Sequence, residues 1–406
     1  MALFRHKPID TVGEAQRRAK KVLPKDVYSA LQGGSDGGAT MRGNLSAFEE
    51  IGMIPRVGVE LAPSLDLKTS FMGQPIDLPV VIAPAAAFAM HPDGEVAVAR
   101  AAKRAGTATG LSMVASVPIE DVQRENPNTF AHVYLSGDRD TVEGRVERFR
   151  RAGVKGLIFT MDLSGARVAF NPRDWGSPVY PDGLGLKTMI KYAPMALGHP
   201  RWLLRYLRRG VAPGLSAPNM SKSDGVAPGL VGALMEWMST PGPTWDDAAW
   251  LRELWDGPFM VKGIVTPDDA RRAVDIGATT VGVSNHGGNN LDTTPSPLRF
   301  LPAVVDAVGD QAEVTFDSGV RRGTDVVKAL ALGARSVLIG RPWFYGLSAD
   351  GERGVYEVLE SFRVTIERAL VGLGKSSIHD VCVDDLVIPD GFFLNPKRGA
   401  GIELVN

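Results

Sequence analysis

Short, almost uninterrupted apolar runs recur along the chain: LPVVIAPA (78–85), TGLS (109–112), FAHVYL (130–135), GLIFTMD (156–162), PFMVKGI (258–264), TVGVSNH (280–286), EVTFDSG (313–319) and SVLIGR (336–341). Runs of this length and apolar character predict eight buried strands. Between most of them lie stretches such as GEVAVARAAKRAG, DTVEGRVERFRRAG, DDARRAVDIGA and TDVVKALALGA. Their apolar residues recur at i, i+3 or i+4, and each has a glycine near its end that suits a helix C-cap. Strand starts lie about 20 to 33 residues apart, with one exception. Eight such βα units predict a closed α/β (β/α)₈ TIM barrel rather than an open sheet.

The exception is an interval of about a hundred residues between the fourth and fifth strands. It contains NPRDWGSPVYP, the basic amphipathic piece PRWLLRYLRR (200–209) and a Gly/Ser/Pro-rich run near 211–230. An insertion after a strand's C-terminal end falls on the active-site face, so residues 176–250 are expected to form a lid or substrate-covering loop. For 211–230 the favoured expectation is a disordered surface excursion. The piece 200–209 is expected to be an ordinary packed helix, with a membrane-surface or intersubunit contact as alternatives. Residues 10–52 predict two or three short helices, within a cap spanning 1–60. The whole chain, 1–406, is thus expected to be one elaborated barrel domain.

Charge and composition narrow the partners. Forty-five basic residues balance 46 acidic ones for a net charge of -1, which argues against nucleic acid. Cys382 is the only cysteine, so neither an intrachain disulfide nor a cysteine-based metal site is possible, a usage that fits a reducing cytoplasm. No segment has the length and apolarity of a membrane span, and the N-terminus lacks the apolar core of a signal peptide. None of the six histidines forms a ligand pair at i, i+3 or i+4, so no metal site is expected. Glycine (46) and proline (28) are abundant without forming a repeat.

In such barrels the chemistry lies at strand C-termini, and here polar residues concentrate there. The fourth strand ends in Thr160 and Asp162, the fifth in Lys262, the sixth in Ser284-Asn285-His286-Gly287-Gly288, the seventh in Asp317-Ser318-Gly319 with Arg321, and the eighth in Gly340-Arg341. Two adjacent glycine-plus-arginine pairs, each before a helix, predict a phosphate site. A buried Lys262 needs an anion or an electron-rich ring; a flavin and a Schiff-base lysine of an aldolase both satisfy this. His286, before two glycines at the barrel mouth, is the candidate general base, and Asp162 the group that holds its other nitrogen.

Taken together, LPVVIAP, YLSGDR, MVKGI, VSNHGG, FDSGVRRGTDVVKALALGA and IGRP resemble the FMN-dependent 2-hydroxy acid oxidase and dehydrogenase family, and the likeness extends back to LPKDVYSALQGGSDG and NLSAFEEI. The resemblance implies FMN as cofactor, with Ala85 and Ala86 behind the flavin ring, Ser112, His132 and Thr160 beside it, and Lys262 at its N1. It places Ser284 and Asp317 among the cofactor contacts, Asp317 on the ribityl chain, and implies phosphate binding by Gly319, Arg321, Gly340 and Arg341. It makes His286 the base, supported by Asp162, aligns Tyr134 with a substrate-contacting tyrosine, and implies a homo-oligomer, tetramer or octamer.

Two departures bear on the substrate. Family members read S-N-H-G-x-R-Q-L-D, and their arginine clamps a substrate carboxylate; here the segment is SNHGGNNLD, with Asn289 for the arginine and Asn290 for the glutamine. Ala30 stands where the family has a second carboxylate-binding tyrosine. Losing a bidentate charged contact disfavours an anionic substrate by several kcal/mol, on the order of hundreds-fold. These departures, with RDWGSP, PRWLL, MEWMSTPGPTWDD and WLRELW in the insertion, resemble the pre-mycofactocin synthase subgroup. That implies oxidative deamination of an amino-lactam to an α-keto amide during maturation of a peptide-derived redox cofactor. The alternative is oxidation of a bulky 2-hydroxy acid, with Arg167 or Arg173 replacing the lost clamp.

Overall fold

Eight parallel strands close on themselves in the computed structural model, which describes residues 7–162, 193–211, 216–222 and 227–394. They are β1 (Val80–Ile82), β2 (Thr109–Leu111), β3 (Thr129–Val133), β4 (Leu157–Thr160), β5 (Phe259–Ile264), β6 (Thr280–Val283), β7 (Glu313–Phe316) and β8 (Ser336–Ile339), each paired with its sequence neighbours and β8 with β1. Alternate residues point inward and outward. Val81, Phe130, Ile158, Met260 and Leu338 share the interior cluster, whereas Val80, Ala131, Leu157, Phe159, Val261 and Val337 belong to the outer core with the helices. The barrel is therefore buried on both faces, as its unbroken apolar runs require.

The barrel floor is a feature the apolar pattern does not announce. A hairpin, Thr69–Phe71 with Gln74–Ile76, adds Phe71, Met72 and Ile76 to the interior cluster. Glu313, at the first residue of β7, holds it by accepting from Met72 N (2.8 Å), Gly73 N (3.2 Å) and Ser70 Oγ (3.0 Å). The hairpin thus fills the N-terminal end and leaves the C-terminal end for chemistry.

Three helices precede the barrel: α1 (Val12–Val22), α2 (Lys25–Gln32) and α3 (Ala39–Glu50). The start of α3 has no local side-chain cap and borrows one from a distance: Asp292 accepts from Ala39 N (3.1 Å) and Thr40 N (2.8 Å). Further along α3, Asn44 and Asn285 exchange reciprocal amide bonds, both 2.8 Å. Gly319 faces the same helix at φ +95°, where an added Cβ would lie 2.2 Å from the Asn44 carbonyl oxygen. No other residue type fits that approach.

Further helices among the described residues include α4 (Gly94–Arg104), α5 (Ile119–Glu125), α6 (Arg139–Ala152), α7 (Pro200–Arg209), α8 (Leu230–Ser239), α9 (Trp245–Glu253), α10 (Pro267–Asp275), α11 (Leu301–Val308), α12 (Gly323–Ala331) and α13 (Arg341–Leu373), the last broken at Asp350 and Gly351. The expected packed helix at 200–209 is α7. Its Trp202 Nε1 donates to Ala89 O (2.7 Å), and Arg205 donates to Ser348 O (2.7 Å) and Ala349 O (2.8 Å) at the end of the first part of α13. Its outer side leaves Leu204 45% and Leu207 65% exposed.

The expected disorder across 211–230 is corrected for the portion described. Ala217 to Met220 are buried, and Asn219 accepts from Ile119 N (2.8 Å) while donating to Val117 O (2.9 Å) at the start of α5. Arg145 on α6 donates to Met220 O (2.6 Å). A polar, proline-containing run becomes ordered here because barrel side chains satisfy its backbone. α8 buries Leu230, Ala233 and Trp237 at helical spacing, and α9 starts with a Thr244–Asp247 capping box. Among the described residues no helix is long and apolar enough to cross a membrane.

The remote cap yields a prediction. Burial raises the Asp292 carboxyl pKa, but the backbone N–H groups of Thr40, Ala39 and Thr293 outweigh this and hold it below the ordinary aspartate value. Its stabilisation is therefore complete above about pH 4 and is lost as pH falls through the depressed folded value. Asp292→Ala is expected to cost about 1 kcal/mol at neutral pH. In denaturant titrations at a series of pH values, the gap to wild type should narrow below about pH 4.

Candidate active site

The strand-end residues singled out in the sequence converge on one hydrogen-bonded network. Lys262, 5% exposed, bonds Asp317 Oδ2 (2.9 Å) and donates to Ser284 Oγ (2.8 Å). Ser284 Oγ donates to Asp317 Oδ1 (2.8 Å) and accepts from His286 N (3.0 Å). Ser318 Oγ also donates to Asp317 Oδ1 (2.7 Å) while accepting from Gly287 N (3.0 Å) and Asn285 N (3.3 Å). Burial alone would push the Lys262 ammonium down, but the Asp317 and Asp162 carboxylates prevail and hold it above its ordinary value. Lys262 is charged at every physiological pH.

That network sets an unusual backbone. His286 sits at φ +58°, followed by Gly287 at +66° and Gly288 at +82°. A non-glycine residue in the left-handed region costs on the order of 1–3 kcal/mol and persists only when its surroundings impose it. Here the imposed turn brings His286 Nδ1 to 3.1 Å from Asp162 Oδ1. With Nδ1–H donated to the carboxylate, Nε2 carries the lone pair and can accept a proton. Asp162 Oδ2 is buried with no partner among the described residues.

On the neighbouring strands, His132 Nε2 lies 3.0 Å from Thr160 Oγ1, and Met113 N donates to His132 Nδ1 (3.4 Å). A backbone N–H only donates, so Nδ1 accepts and Nε2 bears the proton. Burial, then the charges of His286 and Lys262, depress the His132 pKa well below the ordinary value, and the ring is neutral. Ser112 is buried beside this pair and accepts from Val114 N (3.3 Å).

A cavity at this end of the barrel is lined by Ala30, Ala85, Lys262, His286, Asn289, Asp317, Gly319, Arg321, Gly340 and Arg341. Ala86, next to Ala85, is buried behind it. The structure thus brings together the expected base, lysine, glycines and arginines. Arg341 makes contacts beyond the phosphate expected of it. It donates to Leu31 O (3.2 Å), Gly33 O (2.6 Å), Gly287 O (2.9 Å) and Asn289 Oδ1 (3.2 Å), tying the cap to the His286 turn. Arg321 is left with a bond to Val320 O (2.8 Å), one residue away. Burial lowers the pKa of both guanidiniums, that of Arg341 to about 10 with help from the Arg321 charge.

Two enclosed cations that repel each other, neither paired with a carboxylate among the described residues, fit an anion. A Cβ on Gly340 would meet nothing within 4 Å, so the backbone at the start of α13 is open for a close approach. The donor set therefore suits a phosphate at one end, and Lys262 suits a group that becomes anionic at the other. No group of three or more potential metal-ligating side chains occurs among the described residues.

Comparison with known proteins agrees with this geometry. The model of the FMN-dependent dehydrogenase family matches residues 19–387. The chain belongs to that family. It is therefore an FMN-dependent oxidoreductase of the hydroxy acid oxidase kind, and FMN is the phosphate-bearing cofactor that the arginines, open glycine and lysine fit. Over 383 residues it is 51% identical to a pre-mycofactocin synthase of Mycolicibacterium smegmatis, covering 94% of this chain and 95% of that one. An L-lactate dehydrogenase of Chromohalobacter salexigens is 37% identical over 377 residues, 91% of this chain and 93% of the relative. Among solved structures, (S)-mandelate dehydrogenase, described as a monotopic membrane protein, superposes with a TM-score of 0.84 at 32% identity, covering 94% of this chain and all of that one.

Arg167 and Arg173, the proposed substitutes for the missing clamp, lie outside the described residues. Several contributors carry no signal of their own in the sequence. Asn285 sits inside the SNHGG run, yet its partner Asn44 is 241 residues away. Glu95, buried in α4, accepts from Ala87 N (2.7 Å), Ser116 N (3.3 Å) and Ser116 Oγ (3.0 Å), joining the loops after β1 and β2. Removing the cation that lacks a carboxylate partner tests the cofactor fit. Arg321→Ala is expected to weaken FMN binding by about 10- to 100-fold, since a charge-assisted hydrogen bond contributes about 1.5–3 kcal/mol. Fluorescence titration of flavin-stripped protein measures this, and a loss below about threefold would exclude Arg321 from the phosphate site.

Proposed function

We propose that this enzyme oxidises a neutral amine, an amino-lactam, and that the imine so formed is hydrolysed to an α-keto amide and ammonia. The observation that carries the reading is the side chain of Asn289. Its Oδ1 is engaged by Arg341, which can only donate, so the amide NH₂ is the part left to meet a substrate. A neutral donor suits the carbonyl of a lactam and offers a carboxylate no charge. Ala30, which lines the same cavity, leaves room for a ring. The 51% identity to a pre-mycofactocin synthase supports the same assignment.

In this reading His286 Nε2 takes one proton of the substrate's H–C–N–H unit. Asp162 keeps the imidazole oriented and stabilises its charge once the proton has arrived. Lys262 lies where its fixed charge opposes negative charge developing on the cofactor ring. Ala85, Ala86, Ser112, His132 and Thr160 would line the flavin ring, while Ser284 and Asp317 hold Lys262 in place. FMN, when bound, supplies the two-electron acceptor.

Two measurements test the proposal. His286→Ala should purify yellow but be reduced by substrate about 10²- to 10⁴-fold more slowly under anaerobic conditions; reduction at the normal rate removes the base assignment. Wild-type turnover is to be compared on the amino-lactam and on a panel of 2-hydroxy acids. Preference for the lactam is expected, and efficient turnover of hydroxy acids alone would assign the enzyme to the lactate- and mandelate-oxidising chemistry instead.

A further inference from the structure

Among its described residues, the insertion brings a large side chain, Trp237, against Tyr134 on the barrel. α8 turns Leu230, Ala233 and Trp237 to the same face, and Trp237 is 8% exposed. Its indole stacks on the ring of Tyr134, with centroids 4.6 Å apart and planes 27° from parallel. On another side Tyr134 meets the edge of His132, at 4.2 Å and 85°. His132 is the ring fixed by Thr160 and Met113, so Tyr134 stands between one ring held by the barrel and one supplied by the insertion.

Among the described residues, little else fixes the phenol. Tyr134 lies one residue beyond the end of β3, where ladder pairing has stopped, and its other apolar neighbours include Met113 and Met220, which are soft and adaptable. The helix that brings Trp237 is itself anchored to α6 and the loop before it: Glu236 pairs with Arg145 of α6 (3.7 Å), and Thr240 Oγ1 accepts from Gly137 N (3.2 Å). Burial and then the Asp162 charge hold the Tyr134 hydroxyl well above the usual tyrosine range, so it remains a protonated donor near the carboxylate that orients His286.

We infer that Trp237 is a positioning residue for substrate binding: by stacking on Tyr134 it fixes the phenol relative to Asp162 and His286. The inference rests on the reading of Tyr134 as a substrate contact. It also gives the insertion a specific task, supplying the second ring of a three-ring wall. Aromatic pairs of this geometry contribute about 0.5–1.5 kcal/mol beyond area burial, which corresponds to roughly 2- to 12-fold in binding.

A double-mutant cycle on the full-length, FMN-loaded enzyme tests this, with the substrate that wild type turns over. Trp237→Leu should raise KM about 3- to 10-fold with kcat within about twofold, and Trp237→Phe, which keeps a stacking ring, should restore KM to within about twofold of wild type. In a Tyr134→Phe background Trp237→Leu should add less than about twofold. Full multiplicative effects in the double variant, or an unchanged KM for Trp237→Leu, would overturn the inference. An unchanged KM for Tyr134→Phe alone would show instead that the underlying reading of Tyr134 had failed. If Trp237→Leu does not yield flavin-loaded protein, Trp237→His runs the same cycle under the same criteria.

Discussion

The catalytic rim depends on a single buried ion pair. Lys262 is nearly sealed inside the barrel wall, and an ammonium there is untenable without a counter-charge. Asp317 supplies it from two strands away, and its remaining oxygen takes the hydroxyl protons of Ser284 and Ser318. With their single protons committed, those hydroxyls can only accept from their other neighbours, and the amides of Asn285, His286 and Gly287 fill that capacity. The electrostatic need of one lysine is thereby transmitted to the backbone of the turn that presents the histidine. The strained conformation of His286 is a consequence of satisfying a charge more than a turn away in space.

The same turn is held from above by the cap. Asn285 is locked to Asn44, Gly288 O accepts from Ser35 N (2.9 Å), and Asp292 closes the segment by capping α3. Arg341 adds three carbonyls and Asn289 to this frame. Cap and barrel are therefore joined where the chemistry lies. The glycine abundance noted in the sequence also divides into two physical classes. Gly319 is required because a helix carbonyl occupies the space of a side chain, whereas Gly340 leaves space open for the cofactor.

Much of this was legible in the chain because its signals are local. Apolar runs buried on both faces locate all eight strands, and polar residues immediately after those runs fall on the catalytic rim by barrel geometry alone. What escaped is non-local or too short to be periodic. The floor hairpin has three-residue strands, below the length at which alternation can be recognised. The cap of α3 comes from a residue 252 positions later. Residues 217–220 look like linker because composition records their intrinsic preference and not the donor on α6 and the acceptor just before α5 that order them. The cap carbonyls that compete for the donors of Arg341 lie 308 to 310 positions earlier in the chain, where spacing around IGRP cannot reveal them.

That competition bears on specificity. A guanidinium that binds carbonyls on both cap and turn fixes the local amide as well, so Asn289 is itself oriented by an arginine. The guanidinium and that amide line the same cavity, so a positive charge there polarises a neutral donor. On the proposed reading, a site built this way would recognise a carbonyl oxygen while gaining little from full negative charge on it. Discrimination between an amide and a carboxylate would then rest on the neutral amide of Asn289 and the arginine that orients it, with the fold and the base unchanged.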